Sequence, residues 1–291
     1  MNIAVWILLI AAFILLLLFI YKESTGFRIT EYHYEIHKLK RKRFVIAFLS
    51  DFHDSDFGNQ NQDILDAIDE IQPNAVMFGG DMVTSCMEAK YDYELTLQLI
   101  EKIAKKYPVY YGMGNHEARF RRRPDVFPGK YEDLTSRLKK MGAPLMVNEM
   151  KQIKDAGIDV YGLDLPHKYY RRFISRYIED DYLKSIFGEP DRSHISILLA
   201  HNPEHFKQYA KWGCDFVLSG HVHGGIMSIP FLGGLISPAM KLFPKYDAGE
   251  FREGTATMIL NRGLGAHTVP IRVFNKAEII KIVLENHNWR E

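Results

Sequence analysis

A chain of 291 residues, 47% hydrophobic and 25% charged, is long and apolar enough to bury one large core. Its 37 basic and 36 acidic side chains leave a net charge of +1, which argues against a surface that binds nucleic acid by charge. The two cysteines, Cys86 and Cys214, fit no CxxC spacing; a disulfide between them has no support, and Cys214, within an apolar run, reads as a buried core residue.

The chain opens on an apolar segment. Ile3 to Tyr21 holds no charge and no proline and matches the roughly 20 residues that cross a bilayer. No basic region precedes it, and no small-residue cleavage site follows the Ala11-Ala12 pair, so a retained anchor is expected over residues 1–24 rather than a cleaved signal. Residues 25–291 then form the soluble domain. Lys22, Arg28, Lys38, Lys40, Arg41, Lys42 and Arg43 all follow the span and no Lys or Arg precedes it, so the positive-inside rule predicts a single-pass protein of the cell membrane with its domain on the cytoplasmic side. The Lys40–Arg43 cluster has two readings, contact with anionic head groups or a solvated approach to the first core strand.

Phe27 to Ile36 alternates apolar and polar residues as a strand does. Five short apolar runs then end abruptly in polar clusters that carry glycine, histidine or aspartate. Phe44–Leu49 stops at Ser50-Asp51-Phe52-His53, Ala75–Phe78 at Gly79-Gly80-Asp81, and Val109–Tyr111 at Gly112-Met113-Gly114-Asn115-His116-Glu117. Ile195–Ala200 stops at His201-Asn202-Pro203, and Phe216–Leu218 at Ser219-Gly220-His221-Val222-His223-Gly224-Gly225. Runs this short, bounded by turn residues, read as strands buried on both faces. Between them, Asn61–Ile71 and Tyr93–Ala104 carry apolar residues at helical spacing, which makes the pattern α/β and places all five clusters at the carboxyl edge of a sheet.

The clusters bring together Asp51, His53, Asp81, Asn115, His201, His221 and His223. Carboxylate oxygen and imidazole nitrogen without thiolate suit Zn, Mn or Fe. Asp51-x-His53 and His221-x-His223 would each project two side chains from one side of an extended backbone. Asp81, a lone aspartate at a strand end, suits a bridge between two cations. Singly, each motif is an ordinary turn or surface pair; five together, each directly after a buried strand, point to a metal centre.

Asp51-x-His53, Gly80-Asp81, Gly114-Asn115-His116-Glu117, His201 and Gly220-His221-x-His223, in this order, resemble the motif series of the calcineurin-like metallophosphoesterase superfamily. Gly220–Gly225, Tyr246-Asp-Ala-Gly249, Asn261-Arg-Gly-Leu-Gly265 and Pro270-Ile-Arg272 are similar to its YkuE/YaeI-like branch of bacterial membrane-associated phosphoesterases. The resemblance implies a four-layer α-β-β-α sandwich of two mixed sheets flanked by helices. It also implies two divalent metal ions, with manganese expected for activity, and hydrolysis of a phosphate ester or pyrophosphate. Asp51, His53 and His223 would hold one ion, Asn115, His201 and His221 the other, and Asp81 both. His116 would protonate the leaving group or help neutralise the phosphate. The acids after His53, from Asp54 to Asp56, read as a solvated loop.

Two regions outside these motifs could read the substrate. Arg119, Arg121, Arg122 and Arg123 follow His116 closely, and Arg119 and Arg122 are candidate substrate contacts. Ile226 to Phe243 is apolar and rich in glycine and proline. With the anchor, it favours a lipid-linked or nucleotide-linked headgroup as substrate, with no nucleic-acid partner. Soluble or cyclic nucleotides are the alternative substrates, and a membrane-tethered scaffold without catalysis is disfavoured because every ligand position is filled.

Overall fold

The computed structural model describes residues 3–85, 92–171, 176–224, 228–229, 233–234, 244–265 and 272–290. In chain order the elements are α1 (Ile3–Thr25), β1 (Phe27–Glu35), β2 (Arg43–Leu49), α2 (Gln62–Ile71), β3 (Ala75–Phe78), α3 (Glu94–Ala104), β4 (Val109–Gly112), α4 (Asn115–Arg122) and α5 (Lys130–Lys140). They continue with β5 (Leu145–Met146), β6 (Glu149–Ile153), β7 (Ile158–Gly162), α6 (Tyr182–Phe187), β8 (Ile195–Leu199), α7 (Phe206–Trp212) and β9 (Phe216–Ser219). After the short paired strands β10 (Ser228–Ile229) and β11 (Gly233–Gly234) come β12 (Gly249–Glu253), β13 (Ala256–Leu260) and β14 (Ala277–Glu285).

Two mixed sheets form, in the orders β1-β14-β2-β3-β4-β5 and β12-β13-β9-β8-β7-β6. The uninterrupted apolar runs follow from burial on both faces. Along β2, Val45, Ala47 and Leu49 pack with Ile64 and Ile68 of α2, Leu97 and Ile100 of α3 and Leu134 of α5. Phe44, Ile46 and Phe48 point the other way, to Ile195, Ile197 and Leu199 of β8 and Phe216 and Leu218 of β9. Beyond the second sheet, Leu198 and Val217 meet Leu183 of α6 and Phe206, Tyr209 and Trp212 of α7, with the free thiol of Cys214 buried among them. Three apolar clusters thus separate four layers, helix–sheet–sheet–helix. Phe48, wholly enclosed between the sheets, is a residue whose truncation to alanine costs about 3–5 kcal/mol in such a setting.

The five ligand-bearing strands do not share one sheet. β2, β3 and β4 belong to the first and β8 and β9 to the second, so the single edge expected from the α/β rhythm is in fact two edges facing each other. Apolar runs alone cannot reveal this, because a strand buried against a helix and one buried against a second sheet have the same pattern.

No residue of helix α1 is buried, and α1 is the one helix among the described residues long and apolar enough to cross a membrane, with a mean hydropathy of 3.3. Its last turns touch the domain. The Arg272 backbone N–H donates to Ser24 Oγ at 2.9 Å, and the Phe19 and Phe274 rings lie 4.9 Å apart. Strand registers place this junction. Phe27 lies beside Ala277, while on the antiparallel side of β14 Ile280 faces Phe48 and Glu285 faces Arg43. The start of β1 is therefore level with the carboxyl end of β2, and β1 carries the chain away from it over nine residues, about 30 Å.

Lys40–Arg43 lies at that far end. Arg41 pairs with Asp155 at 3.0 Å, Lys38 with Asp215 at 2.7 Å, and Lys40 Nζ lies 3.0 Å from His194 Nε2. The cluster meets neighbouring side chains at the end of the domain remote from α1, as an approach to the first core strand would. Cys86, Gly225, Pro270 and nearly all of the apolar stretch 226–243 fall outside the described residues.

Candidate metal centre

The candidate ligand residues sit two to four positions past their strands, where neighbouring backbones remain hydrogen-bonded. Asp51 N–H donates to Gly80 O, His53 N–H to Asp81 O and Gly220 N–H to His201 O, at 3.0–3.2 Å. The two sheets are also stitched across. The His221 N–H donates to both Asp51 carboxylate oxygens at 3.0 and 3.1 Å, and His201 Nδ1–H donates to Gly79 O at 2.7 Å.

Here the extended geometry expected for the two x-spaced pairs is corrected. Asp51, His53, Asp81, His221 and His223 all adopt left-handed backbone, with φ between 52° and 73°. Such conformations cost non-glycine residues about 1–3 kcal/mol each and gather at functional sites, where the fold over-determines them. They turn the side chains inward from sharply curling chain, which an extended segment past a strand end would not do. Crowding sets two of the neighbouring glycines: a methyl on Gly114 would strike the Asp81 backbone nitrogen and Oδ1, and one on Gly220 would strike Ser50 Oγ and Asp51 Oδ2.

The side chains converge in overlapping groups. Asp51, His53 and His223 offer ligand atoms mutually within 4.8 Å, as do Asp81, His201 and His221. His53 Nε2 and His223 Nε2 are 3.2 Å apart, and Asp51 Oδ1 is 3.2 Å from His223 Nε2. Two imidazole nitrogens sharing a tetrahedral ion at about 2.0–2.1 Å would lie about 3.3–3.4 Å apart, so this convergence has the scale of a metal site. His201 Nε2 stands 3.0 Å from Asp81 Oδ2 without hydrogen-bond alignment, as two ligands of one cation would. Asn115 Oδ1 is buried with no hydrogen-bond partner. An orphaned carbonyl oxygen at this position fits a cation and is otherwise costly. Six of the seven predicted ligands thus fall in these groups, and Asn115 contributes a buried, unpartnered oxygen at the start of α4.

Electrostatics support the same fit. Burial and neighbouring imidazoles depress the His53 and His221 pKa values, His221 to about 3, leaving neutral rings with lone pairs to donate. Burial opposes ionisation of Asp51 and Asp81, but adjacent histidines, His223 and His201 at Asp51 and His201 and His116 at Asp81, hold both carboxyls below their usual range. Burial alone would lower His201, yet Asp81 and Asp51 hold it up to about 10. In the metal-free protein a proton on His201 therefore does part of the charge neutralisation that a cation would do.

His116 also approaches Asp81, with Nε2 3.9 Å from Oδ2, and could be counted in a third ligand group with His53. Its hydrogen bonding indicates otherwise. The Ser85 backbone N–H donates to His116 Nδ1 at 2.8 Å. Nδ1 is then an acceptor, and in the neutral ring the proton resides on Nε2, the nitrogen turned to the centre. A protonated nitrogen cannot ligate; it can donate.

The supporting roles of several residues escaped the motif reading, although Glu117, Asn261–Gly265 and Arg272 belong to the quoted motifs. Ser85, 31 residues from His116, bears no local signal. Glu117 accepts from the N–H groups of Asp81, Met82 and Gly114 at 2.9–3.1 Å and from the Tyr111 hydroxyl at 2.8 Å, clamping the Asp81 turn to the start of α4. Asp54 is corrected from solvated loop to strut, since it accepts from Thr96 Oγ1 at 2.5 Å and from the Thr84 N–H at 3.1 Å. Asn261–Gly265 packs behind Asp51, with Leu264 and Gly265 N–H groups on Ser50 and Asp51 carbonyls at 3.1 and 2.7 Å. Buried Arg272 holds that turn through the carbonyls of Arg262, Gly263 and Gly265 at 2.8–3.1 Å.

Arg119 and Arg122 lie on α4, which begins at Asn115, rather than on a loop. Arg121 turns away to Asp164 at 2.5 Å.

A family model described as calcineurin-like phosphoesterase matches residues 44–225, more than half of the chain and all seven ligand candidates. The metallophosphoesterase YkuE of Bacillus subtilis, itself uncharacterized, is 25% identical over 84% of this chain and 80% of its own length. Phosphodiesterase YaeI of Escherichia coli is 25% identical over 84% of both chains. A transmembrane protein with metallophosphoesterase domain from Danio rerio is 25% identical over 82% of this chain and 53% of its own length. Converging donors, their protonation states and the family match lead to one conclusion: the chain belongs to the calcineurin-like phosphoesterase family and is a metal-dependent phosphohydrolase.

Proposed function

We propose that the protein is a dinuclear-metal phosphohydrolase acting at the cytoplasmic membrane surface on the phosphate ester or diphosphate of a lipid-linked headgroup. The observation that carries this reading is the strand register, which brings the end of α1 level with the carboxyl end of β2, beside Asp51. A centre held at the anchor end of the domain meets substrates confined to the bilayer interface. The phosphodiesterase named among the relatives is consistent with the bond class.

In this reading Asp51, His53 and His223 hold one cation, Asn115, His201 and His221 the second, and Asp81 both. When bound, divalent cations, manganese being the expected activating pair, supply Lewis acidity toward phosphate oxygen and water. The residues do the rest. His201 is oriented by Gly79 O so that its Nε2 lone pair faces inward. His116, oriented by Ser85, presents Nε2–H to the leaving oxygen and transfers the proton as that oxygen gains charge. The Tyr170 ring, 5.2 Å from the His221 ring, covers that side of the centre and limits access of water.

The test uses the full-length protein in manganese-loaded vesicles, comparing a diacyl phosphodiester with the same headgroup ester lacking acyl chains. We expect kcat/KM to favour the lipid form by about tenfold or more, the two substrates differing only in apolar area that can stay in the bilayer. Equal or better turnover of the soluble ester would refute the membrane assignment and favour soluble nucleotides, leaving the phosphohydrolase standing.

A further inference from the structure

Phe274 breaks two local rules at once. It is 52% exposed, and its backbone is left-handed, with φ 51°. Among the described residues the eleven other non-glycine positions with positive φ are all polar. Short polar side chains tolerate that region because they can bond the local backbone, whereas a bulky ring there is a strained outlier. The residues on either side, Arg272 and Asn275, are buried and locked. Arg272 donates from Nη1 to Arg262 O and Asn275 O at 3.1 and 3.0 Å and from Nη2 to Gly265 O at 2.8 Å. Asn275 accepts from Arg262 Nη1 at 3.0 Å and donates to the His223 carbonyl at 2.7 Å. The turn thereby holds the ring out instead of letting it fold in.

What the ring meets is α1. The Phe19 and Phe274 rings lie 4.9 Å apart at an interplanar angle of 49°. Phe19 belongs to the charge-free run that ends at Tyr21, and stands about 3 Å inside that end along the helix. The turn thus reaches past Ser24, which accepts the Arg272 N–H, to a level at which α1 is still apolar. Positive charge lies at the next level toward the domain. Lys22 is in the last turn of α1, and Lys276 packs so close to Gly26 that a methyl added there would stand 3.1 Å from its Cε. A ring followed by lysines is the order of a bilayer edge, acyl chains first and phosphates next, and aromatic and basic side chains are its usual anchors. Packing on Phe19 leaves about half of the Phe274 ring uncovered, and that area is stabilised by acyl chains and not by water.

We propose that the turn from Arg272 to Lys276 is a second membrane contact, with Phe274 inserted among the acyl chains beside α1, and that it turns the candidate metal centre toward the bilayer. This rests on the reading of α1 as a membrane span. One helix leaves an attached domain free to tilt, and an interfacial anchor off the helix axis fixes that tilt. The centre lies directly behind the turn. Asn275, next in the chain after Phe274, holds the His223 carbonyl, and Arg272 holds the carbonyls of Gly263 and Gly265, whose Gly265 N–H donates to Asp51 O at 2.7 Å. Two candidate ligands, Asp51 and His223, are therefore tied by hydrogen bonds to the segment that enters the bilayer edge. A phosphate group at the level of the lysines would meet the centre without leaving the membrane surface.

The experiment uses full-length protein in vesicles of phosphatidylcholine and phosphatidylglycerol, with and without phosphatidylcholine brominated near the head-group end of its acyl chains, which quenches tryptophan on contact. Wild type supplies its own controls, since Trp6 lies in α1 and Trp212 is buried in the domain. Phe274→Trp should add emission that loses about half or more of its intensity to the brominated lipid, while the emission added by His33→Trp, about 20 Å along β1 from its start, is left nearly unchanged. Quenching of Trp6 without quenching of the Phe274→Trp signal overturns the second contact and leaves the anchor standing. No quenching of Trp6 overturns the membrane span and the contact together. Orientation has a separate readout on manganese-loaded protein. Phe274→Ser should lower kcat/KM for a diacyl phosphodiester relative to its acyl-free ester by about fivefold, and Phe274→Leu should restore most of that ratio. An unchanged ratio overturns the orienting role. Wild type that cleaves only the acyl-free ester overturns the lipid substrate instead, and the quenching still decides the contact.

Discussion

Asp81 has a buried histidine on either side, and the two rings are wired in opposite senses. On the side of the second sheet, His201 donates Nδ1–H to the Gly79 carbonyl, which frees Nε2 to ligate. On the side of α4, His116 accepts the Ser85 N–H at Nδ1, which keeps a proton on Nε2. The residue type, the burial and the neighbour are the same; one backbone group behind each ring suits one flank to ligation and the other to proton donation.

The comparison breaks most completely at its centre. Asp81→Asn removes the charge shared by both flanks and should strip bound metal, with activity falling by more than about a thousandfold. Metal analysis of the purified variant checks this, and two ions retained per chain would count against the shared role. His116→Gln separates the flanks: metal content should match wild type while kcat drops about a hundred- to ten-thousandfold, the range for a lost general acid. Metal loss in that variant would make His116 a ligand after all.

The smallest effect sharpens the other flank. In the metal-free protein His201 has its folded pKa at about 10, above the ordinary 6.5. The raised value means that its contribution to stability is full below about pH 6.5 and is lost as pH rises through about 10. Metal displaces that proton, so apparent metal affinity should climb with pH by up to about tenfold per unit across this window. Calorimetric titration at pH 8 in two buffers of different ionisation enthalpy should report release of about one proton per chain. No difference between buffers would mean that His201 binds metal without carrying a proton beforehand.

Much of the centre was legible in the chain because it is built at strand ends. β2, β3, β4, β8 and β9 are short apolar runs, and each stops at a turn that must carry polar residues. The helices α2 and α3 start within one residue of their apolar periodicity and end with it. Strands β12, β13 and β14 and helices α5, α6 and α7 were not picked out. Their faces are shaped by packing against partners far along the chain, as when β14 joins β1 to β2 across about the whole domain. Asp54 read as solvated because nothing local announces Thr84 and Thr96.

What the sequence determined by itself is the candidate ligand set: residue types with lone pairs at strand ends, in an order that resembles one superfamily. Their left-handed backbone, the division of the five strands between two sheets and the placing of α1 at the end of the domain that carries these residues were decided only in the tertiary structure. So was the opposite wiring of His116 and His201. Each of these depends on a hydrogen bond, an ion pair or a strand register between segments distant in the chain, and a periodicity read along one segment carries no record of its partner.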